Sequence, residues 1–510
     1  MASKRRQGLR FDWYPKVNQP FVDELAGEVL NAIEATRTST RGISAAQAQK
    51  RTEETTQIAK QVISALYLAF VGIPIKPKPI SFPKTKDSYS TTSSDPDKIH
   101  CSATYALEVF NALNKLRWIT ETKGIEAVGY TRITPRGDLA KQLNAIGLRW
   151  FKQEPLPLTK LVVLRDYDDP TKPKKQRIKI NLPVPETAEV NRYRACLAEY
   201  NEFITNHCIA FDLDDEQLNR VAAVAMKGKD KADLEELDDT EAELDCIDLS
   251  RVQLRRIFAR GSMEKGGRFY GGWWQSIPSL YRPHITIDGH KTCEVDYSAM
   301  SVRVIYALKG LDLPLDEDPY DIGLEDWIGT KDPRRKPIKR YINAVLNDEQ
   351  GRYRLSSDEQ KLSGLTYKEL RASFHKKHFK IADVLNTDIG LTTQFKDSQI
   401  AVTIMQAMLT DGIVVLPIHD SFIVRAGYEQ WLSKVMLKSF YEVLVAEGIV
   451  DVDTSRLKEH FELEKSEVNT LVDDFEGNIT NTDELYKDFV RPRTALENYA
   501  AYWEQWRHDS

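Results

Sequence analysis

Residues 412–426, GIVVLPIHDSFIVRA, set His419 and Asp420 between two strongly apolar runs. Runs of this length and β-branched content read as buried strands, so the polar pair between them is a tight turn. Aspartate is an ordinary turn former. Beside buried strands, however, an ionised carboxylate is costly unless it serves a purpose. The preceding stretch, QFKDSQIAVTIMQAMLTDG (394–412), is an amphipathic helix that Gly412 stops.

A second carboxylate stands in a comparable place. In HITIDGHKTCEVDY (284–297) the Asp288-Gly289 pair lies between two β-rich runs and predicts a hairpin. Its second strand delivers Asp296 at its end. Ser298 then caps a helix, AMSVRVIYALK (299–309), closed by Gly310, with Met300, Val304, Ala307 and Leu308 on one face. Two carboxylates on separate rigid elements suit two-metal chemistry. One ion activates an attacking hydroxyl and the other steadies a leaving pyrophosphate. Magnesium completes its shell with water and substrate oxygens, so two aspartates suffice. Two Mg2+ ions are therefore the expected cofactor, with Mn2+ as the alternative.

The chain has 510 residues, 41% hydrophobic and 29% charged, so it is a folded protein of several domains. A net charge of −5 excludes a uniformly basic nucleic-acid binder and leaves only a locally basic surface for that role. The five cysteines, at 101, 196, 208, 246 and 293, show no CxxC pattern, which points to a reducing compartment. No apolar run reaches membrane-spanning length, and the basic start MASKRRQGLRFDWYP lacks the apolar core of a signal peptide. The cytoplasm is the expected location.

The expected organisation is an N-terminal helical segment (1–73), a Pro/Ser-rich extended linker (74–99), an accessory domain (100–250), a catalytic domain (251–445) and a C-terminal helical decoration (446–510). Within the accessory domain, TYALEVFNALNKLRWI is a helix, and GYTRITPRGDLAKQL reads as a strand, a turn and a helix entered through Pro135. Their order resembles the second half of a winged-helix module, which would set Arg132 and Arg136 near phosphates; a helix–hairpin–helix support also fits. Residues 158–184 read as a hairpin, and the acidic run at 233–245 as a solvated loop or surface helix marking the domain boundary.

Ahead of Asp296 lies GGRFYGGWWQSIP (266–278). With that stretch in place, the order of motifs resembles the palm of family A DNA polymerases and of their relatives, the single-subunit phage-type RNA polymerases. Those enzymes carry a GR…Q-x-IP element, a DYS motif, a basic fingers helix and an HD hairpin. Here stand Gly267-Arg268 with Gln275-Ser276-Ile277-Pro278, then Asp296-Tyr297-Ser298, then RRKPIKRYINAVLN, then His419-Asp420. The resemblance spans residues 255–440 and implies an α+β fold, a right-hand palm and fingers with an antiparallel sheet, beside a mainly helical N-terminal region.

The resemblance also implies roles. Asp296 and Asp420 hold the metals and Tyr297 lends its backbone carbonyl. Arg335 and Lys339, one helical turn apart, bind the triphosphate. Arg268 and Gln275 touch the primer–template minor groove, and His419 orients the hairpin or primer end. The glycines let backbone approach nucleic acid, while Trp273 and Trp274 either stack on it or anchor the core. Pro337 suggests a helix that starts there and leaves Arg335 outside it.

The chain departs from the family where Asn343 and Asn347 replace aromatic residues of the fingers helix, so Arg334 and Arg340 are candidate substitutes in the nucleotide pocket. Ser301 stands where DNA polymerases have a glutamate that blocks a ribose 2′-hydroxyl, and HDS matches the RNA polymerases. The implied activity is template-directed nucleotide addition to a 3′-hydroxyl. The partners are a DNA primer–template and dNTPs, or rNTPs and RNA if sugar selection is relaxed or the enzyme is a primase. No acidic set for proofreading is apparent in residues 1–250, which would grip template, stand in for a thumb or bind a protein partner. A metal-dependent nuclease and a non-catalytic nucleic-acid-binding palm are the competing classes.

Overall fold

The structure is a computed structural model. It describes residues 10–446 except 38–43, 72–78, 93–97, 124–129, 148–150, 170, 172–176, 178, 214–248, 280, 298, 312, 314–316, 347–352 and 388. The acidic run at 233–245 and the C-terminal segment 447–510 therefore lie outside the described residues, as do Ser298 and Asn347. No helix among the described residues is long and apolar enough to cross a membrane.

The first unit contains helices α1 (Pro20–Glu34) and α2 (Ala45–Val71), strand β1 (Ile80–Pro83), helix α3 (Ala103–Lys115), strands β2 (Ile119–Lys123) and β3 (Tyr130–Pro135), and helix α4 (Gly137–Ile146). The three strands form an antiparallel sheet in the order β1-β3-β2, with Ile80 opposite Ile133 and Ile119 opposite Pro135. From Val62 to Ala69 every residue of α2 is buried, which makes it the central helix of the unit.

Two expectations for this half are corrected. Residues 79–92 are not an extended linker. Ile80, Phe82 and Tyr89 are buried, and Phe82 stacks on Phe11 at 5.1 Å. One core runs from Phe11 to Phe151, so the helical segment, the linker and the first part of the accessory domain are one unit. Proline is compatible with β1 because it lies at a sheet edge, where one side needs no ladder hydrogen bond.

The second correction concerns the boundary at 250. After helix α5 (Leu158–Leu161), strands β4 (Val162–Tyr167) and β5 (Lys179–Leu182) pair as the expected hairpin. Helix α6 (Ala188–Ile204) and strand β6 (Ile209–Phe211) follow, then β7 (Arg255–Ala259) and β8 (Ser262–Tyr270). β4 pairs in parallel with β7, giving a four-stranded sheet β5-β4-β7-β8. Leu161, Leu197, Ile209 and Phe211 share one core with residues beyond 250 such as Trp274, Ile404 and Phe422. These partners are far apart in sequence, and local pattern carries no information about such pairing.

The remaining elements are β9 (Ile285–Ile287), β10 (His290–Asp296), α7 (Met300–Leu308), α8 (Arg335–Leu346), α9 (Ser357–Ser363), α10 (Tyr367–Lys377), α11 (Ile389–Thr410), β11 (Val415–Ile418), β12 (Ser421–Arg425) and α12 (Glu429–Ala446). The central sheet has the order β11-β12-β10-β9-β6, all antiparallel. The molecule is thus α+β with antiparallel pairing in this sheet. α7 separates two cores. Met300, Val304 and Ala307 face the sheet and α11, while Val302, Ile305 and Tyr306 face a helical subdomain built on α8 and α10.

His378 is fully buried in that subdomain. Its Nε2 lies 2.7 Å from the Pro319 carbonyl and therefore carries the proton, while the Tyr306 hydroxyl donates to Nδ1 at 2.8 Å. Burial lowers its pKa to about 4. The folded value lies below the unfolded one of 6.5, so the contribution to stability is complete above pH 6.5 and is lost as pH falls toward 4. The loss should approach about 3 kcal/mol, since each tenfold change in proton affinity is worth about 1.4 kcal/mol. Urea unfolding between pH 7.5 and 4.5 checks this: the decline should be shallower in His378→Gln, and equal slopes would refute it.

Candidate active site

The site forms where the end of β10 meets the β11–β12 turn. Asp296 is paired across the sheet with Ser421, the residue after Asp420. The Tyr297 amide donates to the Asp420 carbonyl at 3.3 Å, which extends the pairing past the strand end. His419 adopts φ 58°, the left-handed conformation a two-residue turn demands. Both aspartates are therefore brought together at one end of the central strands, with Asp296 exposed and Asp420 half-buried.

The electrostatics match this placement. The Asp296 carboxyl is pushed up to about 6, first by burial among its neighbours and then by Asp420, while Lys339 opposes the shift. Asp296 thus feels both its partner carboxylate and the cation of α8. Glu294, two residues earlier on β10, accepts from Ser421 Oγ at 2.6 Å and from Arg282 Nη1 at 2.6 Å. The serine of HDS is therefore tied to a carboxylate on the adjacent strand.

Lys339 is exposed and has no hydrogen bond or ion pair among the described residues. Arg335 is ion-paired to Asp318 at 2.9 Å and lies 4.5 Å over the Tyr320 ring. Arg340 pairs with Glu359 at 3.1 Å, and Arg334 with Asp332 at 2.7 Å. α8 begins at Arg335, not at Pro337. Proline fits the first helical turn because amides there have no intrahelical acceptor. Ser301 is half-buried in the first turn of α7. The residue capping α7 is Ala299, with φ 57° and no side-chain cap, rather than Ser298.

Arg268 donates to Asp397 on α11 at 2.7 Å, and the Gln275 amide donates to the carbonyls of Phe269 at 2.9 Å and Pro417 at 3.1 Å. Tyr297 packs its ring beside Phe440 and gives its hydroxyl to the Met436 carbonyl. His419 has its pKa lowered to about 3 by burial and by the charges of Arg268 and Arg282, so it is neutral at pH 7.

Both tryptophans are core anchors. Trp273 packs edge-on against Phe211, and Trp274 donates to the Pro417 carbonyl at 3.1 Å. Two of the glycines are required by packing within the chain. Gly267 has φ 76°, and a Cβ there would come within 2.9 Å of the Phe258 ring. A Cβ on Gly272 would lie 2.4 Å from the Trp274 ring.

Sequence reasoning missed Asp397, Tyr320 and Arg256. Asp397 is buried, and burial raises its carboxyl pKa against the opposing pull of Arg268. The available signal was a lone aspartate on the apolar face of an amphipathic helix. Tyr320 is buried, and its phenol is pushed up by burial and further by Asp420, Asp318 and Asp296, which places it beside the carboxylates. Arg256 is 1% exposed, lies 4.1 Å over the Tyr193 ring, and donates to the Gly267 carbonyl and Ser398 Oγ, both at 2.8 Å. It thereby joins β8 to α11 next to the Arg268–Asp397 pair.

Among the described residues no group of three or more His, Cys, Asp or Glu side chains is placed to hold a metal ion. Two carboxylates, one of them with its pKa raised by burial and then by the other's charge, still form a donor set suited to Mg2+, which takes its other ligands from water and phosphate. No family model and no curated protein matched the chain.

Proposed function

We propose that the chain is a template-directed nucleotidyltransferase with a palm built on the five-stranded sheet and fingers built on α8 to α10. The observation that carries this reading is the meeting of Asp296 and Asp420 at one end of the sheet's strands, with the Lys339 charge reaching Asp296 from a separate helix. Asp296, Asp420 and the Tyr297 carbonyl would hold two Mg2+ ions. When bound, these ions would supply Lewis acidity and a lowered pKa for the attacking hydroxyl.

The side chains divide the remaining work. Lys339 has no ionic partner among the described residues and would be available to a triphosphate. Arg335 is held by Asp318 and positions Tyr320 beside the carboxylates. Arg268, fixed by Asp397, presents a cation behind His419, which stays neutral and can accept or donate one hydrogen bond. The small Ser301 side chain leaves space for a ribose, so both sugars enter the test.

The test is incorporation of labelled dNTPs or rNTPs with Mg2+ on primed, unprimed and absent templates. Lys339→Ala is expected to raise KM for nucleotide by roughly 10- to 100-fold, the usual cost of a lost charge-assisted phosphate contact. Arg335→Ala should lower thermal stability as well as activity, because it leaves Asp318 unpaired. Absence of incorporation under every condition overturns the reading. Nucleic-acid degradation without added nucleotides would replace it with the nuclease class.

A further inference from the structure

The N-terminal unit has an architecture independent of nucleotide transfer. Between α1 and α4 it runs helix, strand, helix, strand, strand (α2, β1, α3, β2, β3), with a short 3-10 turn at Lys86–Ser88 between β1 and α3. Its sheet order is β1-β3-β2. This succession matches a winged helix, in which the helix before the hairpin is the one presented to DNA.

The surface of α3 fits that role. Ala106, Val109, Phe110 and Leu113 are buried in the unit's core. Thr104, Asn111 and Lys115 lie seven and four residues apart, on one face, and all three are exposed. Thr, Asn and Lys are side chains that hydrogen-bond to base edges or phosphates.

Charge supports the same partner. Between residues 79 and 147, Lys86, Lys98, Lys115, Arg117, Arg132 and Arg136 have no side-chain hydrogen bond or ion pair among the described residues. Arg132 Nε is buried without a hydrogen-bond partner. Within residues 79–147 the acidic side chains Glu108, Glu121 and Asp138 are each paired with a cation of the same unit, which leaves Asp87 as the described acid of that stretch without an ion pair; Glu24, Glu28, Glu34 and Glu53, on α1 and α2, also have none. The unpaired cations lie at both ends of α3. Lys98 precedes it, while Lys115 and Arg117 end it beside Arg136, whose amide donates to the Trp118 carbonyl at 2.7 Å.

We propose that this unit is a winged-helix module that seats α3 in the major groove of duplex DNA. At 13 residues, α3 is about 20 Å long. The B-form major groove is about 12 Å wide, so the ends of the helix reach the flanking phosphate backbones. A-form RNA has a major groove too narrow for a helix, which selects DNA.

The test is fluorescence anisotropy of the full chain with a labelled blunt duplex of about 20 base pairs, long enough for the helix and its flanking phosphates, in EDTA and across a salt series. Omitting metal and nucleotide and using a blunt duplex separate this result from failure of the nucleotidyltransferase reading. The double variant Lys115→Glu, Arg117→Glu should weaken binding at least tenfold and lower the slope of log K against log salt by about 2, roughly 0.9 per lost phosphate contact. Asn111→Glu should weaken binding through the groove face. All changes lie at exposed positions or a turn, and circular dichroism checks that the fold persists. Wild-type affinity in both α3 variants overturns the proposal. Equal or tighter binding of an RNA duplex overturns it too, as does loss of a protein partner in these variants without loss of DNA binding.

Discussion

Asp296→Asn and Asp420→Asn are each expected to reduce nucleotide incorporation by on the order of 10³-fold or more, since each removes a carboxylate that would hold the metal ions. The same variants should be more stable than the parent in the absence of metal. The carboxyl of Asp296 is raised from 3.8 to about 6 in the fold, by burial and by Asp420. A raised carboxylate pKa means that the folded state prefers the protonated form. The favourable contribution is therefore complete below pH 3.8 and is lost as pH rises through 6. At pH 7.5 the ionised pair opposes folding, and asparagine relieves it. Asp296 is exposed, so solvent screening limits the expected gain to about 1 kcal/mol.

Magnesium should reverse the order. The parent should gain stability on adding Mg2+, because only the folded state gathers the two carboxylates, and the variants should gain little. Urea unfolding at pH 7.5 with and without Mg2+, beside an incorporation assay, measures all three effects. Retained incorporation in either variant would remove the two-metal reading. A loss of activity accompanied by a large loss of stability would make the aspartates structural.

Trp274→Ala should produce the largest loss of stability, about 4 kcal/mol, as expected for emptying a fully buried aromatic site. The ring is completely buried, packs against Trp273 with centroids 6.3 Å apart, and lies directly under Gly272. Its indole donates to the Pro417 carbonyl, three residues before Asp420, so the Asp420 turn should loosen together with the core. Trp274→Phe keeps most of the packing but loses that hydrogen bond, and should cost about 1 kcal/mol. Denaturant midpoints at constant m-value check both. A loss below about 1 kcal/mol for the alanine variant would show that the tryptophan is not the anchor of the turn.

The legible parts of the molecule are those set by local geometry. The Asp288-Gly289 turn, the Gly412 stop at φ 71° and the His419-Asp420 turn appear where sequence places them, because a positive φ or a two-residue loop narrows the choice of residue. The α7 face with Met300, Val304 and Ala307 follows from helical periodicity alone. The segment at 79–92 shows the limit. Its prolines, serines and lysines mark it as connecting chain, yet Ile80 and Phe82 are drawn into a core assembled from α2 and α3. Burial by distant elements overrode local composition.

The candidate site divides in the same way. Asp296 and Asp420 were identifiable because each is a carboxylate at the end of an apolar strand, an arrangement with an energetic cost visible in one dimension. Their meeting, the Arg335–Asp318 pair that occupies an expected triphosphate ligand, and the Arg268–Asp397 link between β8 and α11 were not. Sequence by itself determined which residues sit at strand ends, turns and helix faces, because backbone sterics and periodicity act over a few residues. Only the tertiary structure decided which charges neutralise one another, since Coulomb interaction and desolvation depend on distance in space between residues such as 268 and 397 that lie far apart along the chain.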